Sequence, residues 1–252
     1  MESITSRKNP LLQKIRQLST GGRSVREKAG EYLGDGVKLL EEALKWDAPL
    51  TTVVVSPEVT PPDLPDGTRL VQVPKDVMET ISPMKTPQGA LFLARRPDTA
   101  PPARLEGRRY LVLDGVQDPG NVGTIWRSAD ALGADGLLLV NGCADPYSPK
   151  VVRASMGACF RLPVWETTVE ELEKLLKASQ IPLYATALRE DTVDVRQADL
   201  SRAAVVIGSE GRGVSQALLD RARQTVKIPM RERCESLNAA SAAVIVLWEM
   251  GT

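Results

Sequence analysis

Short runs of β-branched and aliphatic residues alternate along the chain with stretches whose apolar positions recur every three or four residues. In the first hundred residues, 50–55, 70–73 and 90–94 read as strands, and 10–18, 36–46 and 74–81 as helices. Pro10 suits the first turn of the first helix, and Gly21-Gly22 breaks it. Asp35 is placed to cap the second helix, whose Val37, Leu40, Ala43 and Leu44 share a face. Further on, 110–113, 136–140, 182–187, 204–207 and 225–228 read as strands, with 161–165 extended. Residues 122–132, 151–157, 169–179 and 237–250 read as helices. Short apolar strands separated by helices predict an α/β fold with a mostly parallel, buried sheet. Pro97, Pro101 and Pro102 stiffen the stretch between the halves. The expected organisation is a small α/β domain over 1–96, a linker over 97–104 and a second α/β domain over 105–252.

Composition narrows the chemistry. The 252 residues include no histidine, which excludes Ser-His-Asp and Cys-His catalysis and histidine-based metal sites. Cys143, Cys159 and Cys234 are odd in number and far apart, so neither a disulfide framework nor a zinc ribbon is expected. No apolar stretch approaches the roughly eighteen residues of a membrane span, and the first eight residues hold no signal-like core. The chain reads as soluble and cytoplasmic, with no membrane partner. Formal charge is zero overall. Its distribution is less even, because residues 1–28 carry Arg7, Lys8, Lys14, Arg16, Arg23, Arg26 and Lys28 against Glu2 and Glu27. A second cluster joins Arg95, Arg96, Arg104, Arg108 and Arg109. Such clusters are either solvated faces or a footprint for a phosphate backbone.

Ligands on parallel sheets gather at the carboxyl ends of strands, and three predicted strand ends carry unusual loops. The first runs from Asp114 through Gln117, Asn121 and Gly123 to Arg127. The second is Gly208-Ser209-Glu210-Gly211-Arg212-Gly213. The third runs from Ile228-Pro229-Met230 to Ser236-Leu237-Asn238. Taken singly, the glycines serve as turn residues and Ser236 or Asn238 as a helix N-cap. Gly208 to Gly213 spells GxxGxG, not the Rossmann GxGxxG, and no P-loop occurs. A glycine-rich strand end nevertheless lets a ligand lie against bare backbone, with Ile228, Met230 and Leu237 as apolar walls.

Taken together, the loops resemble the SpoU (TrmH-type) family of RNA ribose 2′-O-methyltransferases, within the SPOUT superfamily. Asn121, Gly123 and Arg127 match its NxGxxxR motif. Residues 207–213 and then 228–230 with 236–243 match the second and third motifs, and 148–158 is family-like as well. Residues 1–96 resemble the family's substrate-binding domain. The resemblance implies a trefoil knot in the second domain and a homodimer. It also implies S-adenosylmethionine as methyl donor, without a metal, bound by Thr186, Ala187, Leu188, Gly208, Glu210, Gly211, Ile228, Met230 and Leu237. RNA would be held by Arg7, Lys8, Lys14, Arg23 and Arg26. Ribosomal RNA is the first choice of substrate and tRNA the second.

The same resemblance places Arg127 at the reacting hydroxyl, with Asn121, Glu210, Ser236 and Asn238 around it. A guanidinium does not deprotonate near neutral pH, so stabilising a developing alkoxide suits Arg127 better than acting as base. Cys234 would be the nucleophile if a base carbon were methylated instead. An RNA-binding protein without catalysis is the reading from a different class.

Overall fold

The computed structural model describes every residue except Glu190, Glu232, Glu235 and Thr252. The chain forms two compact units. One comprises Met1–Pro97 together with Asp145–Phe160, and the other Asp98–Ala144 together with Arg161–Thr252.

The first unit carries β1 (Glu2–Ser3), α1 (Pro10–Thr20), α2 (Arg23–Ala29), β2 (Glu31–Asp35), α3 (Val37–Lys45), β3 (Leu50–Val55), β4 (Arg69–Gln72), α4 (Lys75–Ile81) and β5 (Ala90–Arg95). Its sheet is mixed, ordered β1-β4-β3-β5-β2. The Asn9 side chain accepts from the Leu11 N–H at 2.9 Å and caps α1, with Pro10 in the first turn. Leu12, Ile15 and Leu18 then meet Val54, Val71, Met78 and Leu91 in a buried core.

Two features of this unit escape periodicity. Strand β2, Glu-Tyr-Leu-Gly-Asp, has polar ends and a glycine, yet it pairs along its length with β5. Gly34 is required there, because a Cβ would lie about 2 Å from the ring of Phe92, its partner across the strands. Helix α2 lacks an apolar stripe and buries only Arg26. Asp35 does not cap α3. It ends β2, where its carboxylate accepts from the Ser82 hydroxyl, and Gly36, with φ of 114°, occupies the cap position.

The proposed domain limits need one correction. Residues 145–160 belong to the first unit, although the sequence on either side of them belongs to the second. Asp145 pairs with the buried Arg26, Tyr147 lies 5.0 Å from Tyr32, and Phe160 lies 6.2 Å from Phe92, measured between ring centroids. The segment carries α6 (Pro149–Ala154), whose Val151 and Val152 are fully buried.

The second unit carries β6 (Arg109–Asp114), α5 (Pro119–Ala131), β7 (Gly136–Val140), β8 (Val164–Glu166), α7 (Val169–Ser179), β9 (Leu183–Thr186), β10 (Val193–Asp194), β11 (Ala203–Gly208), α8 (Gln216–Leu219), β12 (Gln224–Lys227) and α9 (Ala239–Gly251). Seven strands run in the order β10-β12-β9-β11-β6-β7-β8, all pairs parallel. One face buries Val112, Leu138 and Val206 against Leu172 and Leu176 of α7. Helices α5 and α9 pack on each other, and α9 also meets β11. The strand order reverses between β6 and β11. Asp114 and Gly208, the last residues of those strands, are register partners. Their loops therefore leave the sheet side by side, at the crevice where such sheets bind ligands. Among the described residues no helix is long and apolar enough to cross a membrane.

Candidate functional site

A cavity of about 330 Å³ opens at the carboxyl ends of β9, β11 and β12. All nine residues expected at a cofactor line it: Thr186, Ala187, Leu188, Gly208, Glu210, Gly211, Ile228, Met230 and Leu237. The Thr186 hydroxyl donates to the Val206 carbonyl at 2.8 Å, and the Ala187 N–H donates to the Val226 carbonyl at 3.0 Å, which ties the three strand ends together. Ser209 and Gly213 exchange both backbone hydrogen bonds and close the second loop. Gly208 has a reason beyond leaving room for a ligand. A Cβ there would lie about 2.1 Å from the Gly213 carbonyl carbon, so the loop folds back on it.

At the rim, the expected catalytic residues form a directional chain. Asn238 precedes α9, and its Oδ1 accepts from the Ala240 and Ser241 N–H groups at 2.9 and 3.3 Å. Capping fixes which end of the amide is oxygen, so Nδ2 points outward as a donor. It donates to Asn121 Oδ1 at 3.1 Å, and Asn121 Nδ2 in turn donates to the Glu210 carboxylate. Asn121 is held by its own helix, because Asp118 caps α5 by accepting from the Asn121 N–H at 2.9 Å. Three loops are thereby joined by side chains from all three sequence motifs. Ser236 lines the cavity beside them.

Arg127 stands apart from this chain. It is exposed on α5 and makes no hydrogen bond or ion pair with the described residues, whereas Gly123, one turn earlier, is buried. Of the cations expected at RNA, Arg7 and Lys8 are exposed, Arg7 pairing with Asp76, while Lys14 pairs with Glu31 and Arg23 is half-buried. Arg26 must be withdrawn from that set. It is buried, its Nε meets Asp145 at 2.6 Å, and its Nη1 donates to the Leu18 and Gly21 carbonyls. A guanidinium so engaged holds the first unit together and offers nothing to a phosphate.

The sequence reading missed a second arrangement. Asp114, buried at the end of β6, accepts from Asn141 Nδ2 at 2.7 Å and from the Ser215 N–H at 2.6 Å. Asn141 sits in the left-handed region at φ 54°, which an asparagine tolerates. The signal was a lone acid closing an otherwise apolar strand, inside a loop already singled out. Beside it, the Cys143 thiol is pushed up to about 11, chiefly by burial. Cys234 is exposed. Among the described residues no cluster of three or more acids and cysteines could hold a metal ion.

The model of the SpoU rRNA Methylase family matches residues 108–248, more than half of the chain. The chain belongs to the SpoU rRNA methylase family. The MRM3-like substrate binding domain matches residues 9–91 of the chain. It is 32% identical to the 23S rRNA (guanosine(2553)-2'-O)-methyltransferase RlmP of Bacillus subtilis over 99% of both chains. It is likewise 32% identical to the 23S rRNA (uridine(2479)-2'-O)-methyltransferase of Streptomyces viridochromogenes, over 98% of this chain and 90% of that one. Among solved structures, the AdoMet-bound rRNA methyltransferase of Sinorhizobium meliloti superposes with a TM-score of 0.87, at 32% identity, over 99% of this chain and 97% of that one.

Proposed function

We propose that this chain transfers a methyl group from S-adenosylmethionine to a ribose 2′-hydroxyl of ribosomal RNA. The observation that carries the reading is the strand-end cavity joined at its rim to Asn121 through Glu210. The names of the Bacillus and Streptomyces relatives support ribosomal RNA over tRNA.

The cavity fits the donor. Its volume lies in the range of small-molecule pockets, roughly 300–1,000 Å³. Strand-end backbone at Thr186, Ala187 and Gly208 would face the polar edges of the adenosine, and Ile228, Met230 and Leu237 its apolar surface. Bound there, S-adenosylmethionine supplies a methyl group already activated on a sulfonium sulfur. The protein must align the weakly acidic hydroxyl and stabilise its oxygen as the proton leaves. Arg127 supplies the positive charge at that oxygen. A substrate phosphate is suited to accept the proton. Asn121 and Asn238 hold Glu210 in one orientation, and Ser236 faces the donor.

Four further assignments belong to the same reading. Val244 and Trp248 lie on one exposed face of α9, 38% and 61% exposed, and support a homodimer formed through that helix. The trefoil knot that the family resemblance implies for the second unit belongs to the same reading. Arg7, Lys8, Lys14 and Arg23 of the first unit would hold RNA phosphates, and the cytoplasm is the compartment that suits the work.

The test uses purified protein, unmodified large-subunit ribosomal RNA and isotopically labelled S-adenosylmethionine. Digestion to nucleosides should yield label in a 2′-O-methylated ribose. Label in a methylated base would overturn the ribose assignment, and RNA binding with no transfer would favour a non-catalytic role. Equal transfer to tRNA would overturn the choice of RNA.

A further inference from the structure

A second, polar cavity of about 550 Å³ adjoins the donor cavity on the far side of the Ser209–Gly213 loop. The two share Ser209, Glu210, Gly211 and Gly213 as lining, so the loop is a common wall. The rest of the second cavity comes from the ends of β6 and β7 and from the segment after that loop, including Gln117, Asn141, Arg212 and Ser215.

Its chemistry differs from that of the donor cavity. Asp114 is buried and both its oxygens already accept hydrogen bonds, from Asn141 and from the Ser215 backbone. The Glu210 carboxylate is engaged by Asn121. Asn141 spends its Nδ2 on Asp114 and the Ser215 hydroxyl, and its Oδ1 accepts from none of the described residues. Gln117 and Arg212 are exposed on the rim and hydrogen-bond nothing among the described residues. The cavity thus offers amide groups and one guanidinium at its rim, with the Asp114 and Glu210 carboxylates already hydrogen-bonded along its wall. Amides match the edge of a nucleobase, and a guanidinium matches a phosphodiester in planar, bidentate fashion.

We infer that this cavity receives the acceptor nucleotide of the RNA. Gln117 and Asn141 meet the base edge, and Arg212 meets the adjoining phosphate. The inference rests on the proposed ribose methylation and adds where the acceptor sits. Methyl transfer needs oxygen and methyl carbon about 3–3.5 Å apart, and two cavities that share Glu210 and its loop as a wall bring donor and acceptor to one edge. Asp114 is then a positioning residue. It fixes Asn141 in its left-handed conformation and ties the β6, β7 and β11 loops into one frame.

The experiment uses the full-length protein with S-adenosylhomocysteine. The probe is large-subunit ribosomal RNA transcribed with 4-thiouridine in place of uridine. Long-wave irradiation followed by peptide mass mapping should place nucleotide adducts on peptides carrying Gln117, Asn141 or Arg212. In steady-state methylation of the unmodified RNA, Gln117→Ala combined with Arg212→Ala should raise KM for RNA by about tenfold or more, the scale of losing a bidentate contact. The affinity for S-adenosylmethionine should not change. Adducts confined to residues 1–97, or an unchanged KM while the parent protein methylates the RNA, would overturn the pocket and leave the functional reading standing. A parent protein that does not methylate this RNA would overturn both.

Discussion

At the scale of single residues, two arginines that look alike in sequence have opposite surroundings. Arg127 is exposed and unengaged among the described residues. If it stabilises the alkoxide only as the methyl moves, Arg127→Ala should lower kcat by on the order of a hundredfold while KM and cofactor affinity hold. Arg127→Lys should recover little, because an ammonium lacks the planar fork. Single-turnover rates at saturating RNA and cofactor check this, and a rate within about threefold of the parent would remove Arg127 from the chemistry. Arg26 sits among the same basic residues, yet its side chain is only 5% exposed and pairs with Asp145 at 7%. Arg26→Ala leaves a buried carboxylate without its partner, a change that typically destabilises by about 3–5 kcal/mol. The expected outcome is a large drop in denaturation midpoint rather than a selective loss of RNA affinity. Charge counting reads Arg26 as a phosphate contact because nothing nearby in sequence discloses Asp145, more than a hundred residues away.

At the scale of elements, what periodicity could see and what it missed have a common cause. Strand β3 and helix α7 were legible to the residue, since their apolar spacing, and for α7 a Thr168–Glu171 capping box, are local. Strand β2 was not, because it exists through pairing with β5 and through Gly34 clearing Phe92. The site divides in the same way. The residues lining the strand-end cavity could be named from strand-end motifs, but the Asp114–Asn141–Ser215 clasp depends on register partners that only the folded sheet brings together. The Gly208 loop allows a sharp comparison. Gly208→Ala must displace the Gly213 backbone, whereas a Cβ on Gly211 meets no protein atom within 4 Å. Gly208→Ala should therefore lower both stability and S-adenosylmethionine affinity, the latter by about tenfold or more. Gly211→Ala should leave the melting temperature unchanged, so that any loss of cofactor affinity there reports a clash with ligand alone. Equal stability of the two variants would refute the packing argument. Helix α9 carries the other element-scale test. Its Ala243, Val246 and Leu247 are buried while Val244 and Trp248 are not. Trp248→Glu should convert a dimer into a monomer in light scattering without unfolding it, and a parent chain already monomeric at micromolar concentration would remove the dimer.

At the scale of the whole molecule, the chain's two units are not two consecutive pieces of sequence, and this decides how they can be separated. Deleting residues 1–97 looks like removal of an RNA-binding module. It also strips the partners from Asp145–Phe160, a segment whose Tyr147, Val151, Val152 and Ala158 are buried and whose Asp145 pairs with Arg26. A chain of residues 98–252 would therefore expose an apolar patch and an unpaired acid, and it should aggregate or bind a hydrophobic dye. Replacing 145–160 in that chain with a short glycine-serine linker should cure the defect. Every residue lining the donor cavity lies outside both removed segments. S-adenosylmethionine affinity, read by calorimetry, should accordingly stay within about threefold of the parent, a change of less than about 1 kcal/mol. RNA affinity should fall, and its dependence on salt should become shallower as phosphate contacts from the first unit disappear. If the chain of residues 98–252 proves as soluble as the excised form, residues 145–160 do not need the first unit. If the excised form is folded but no longer binds cofactor, the donor site is not confined to the second unit.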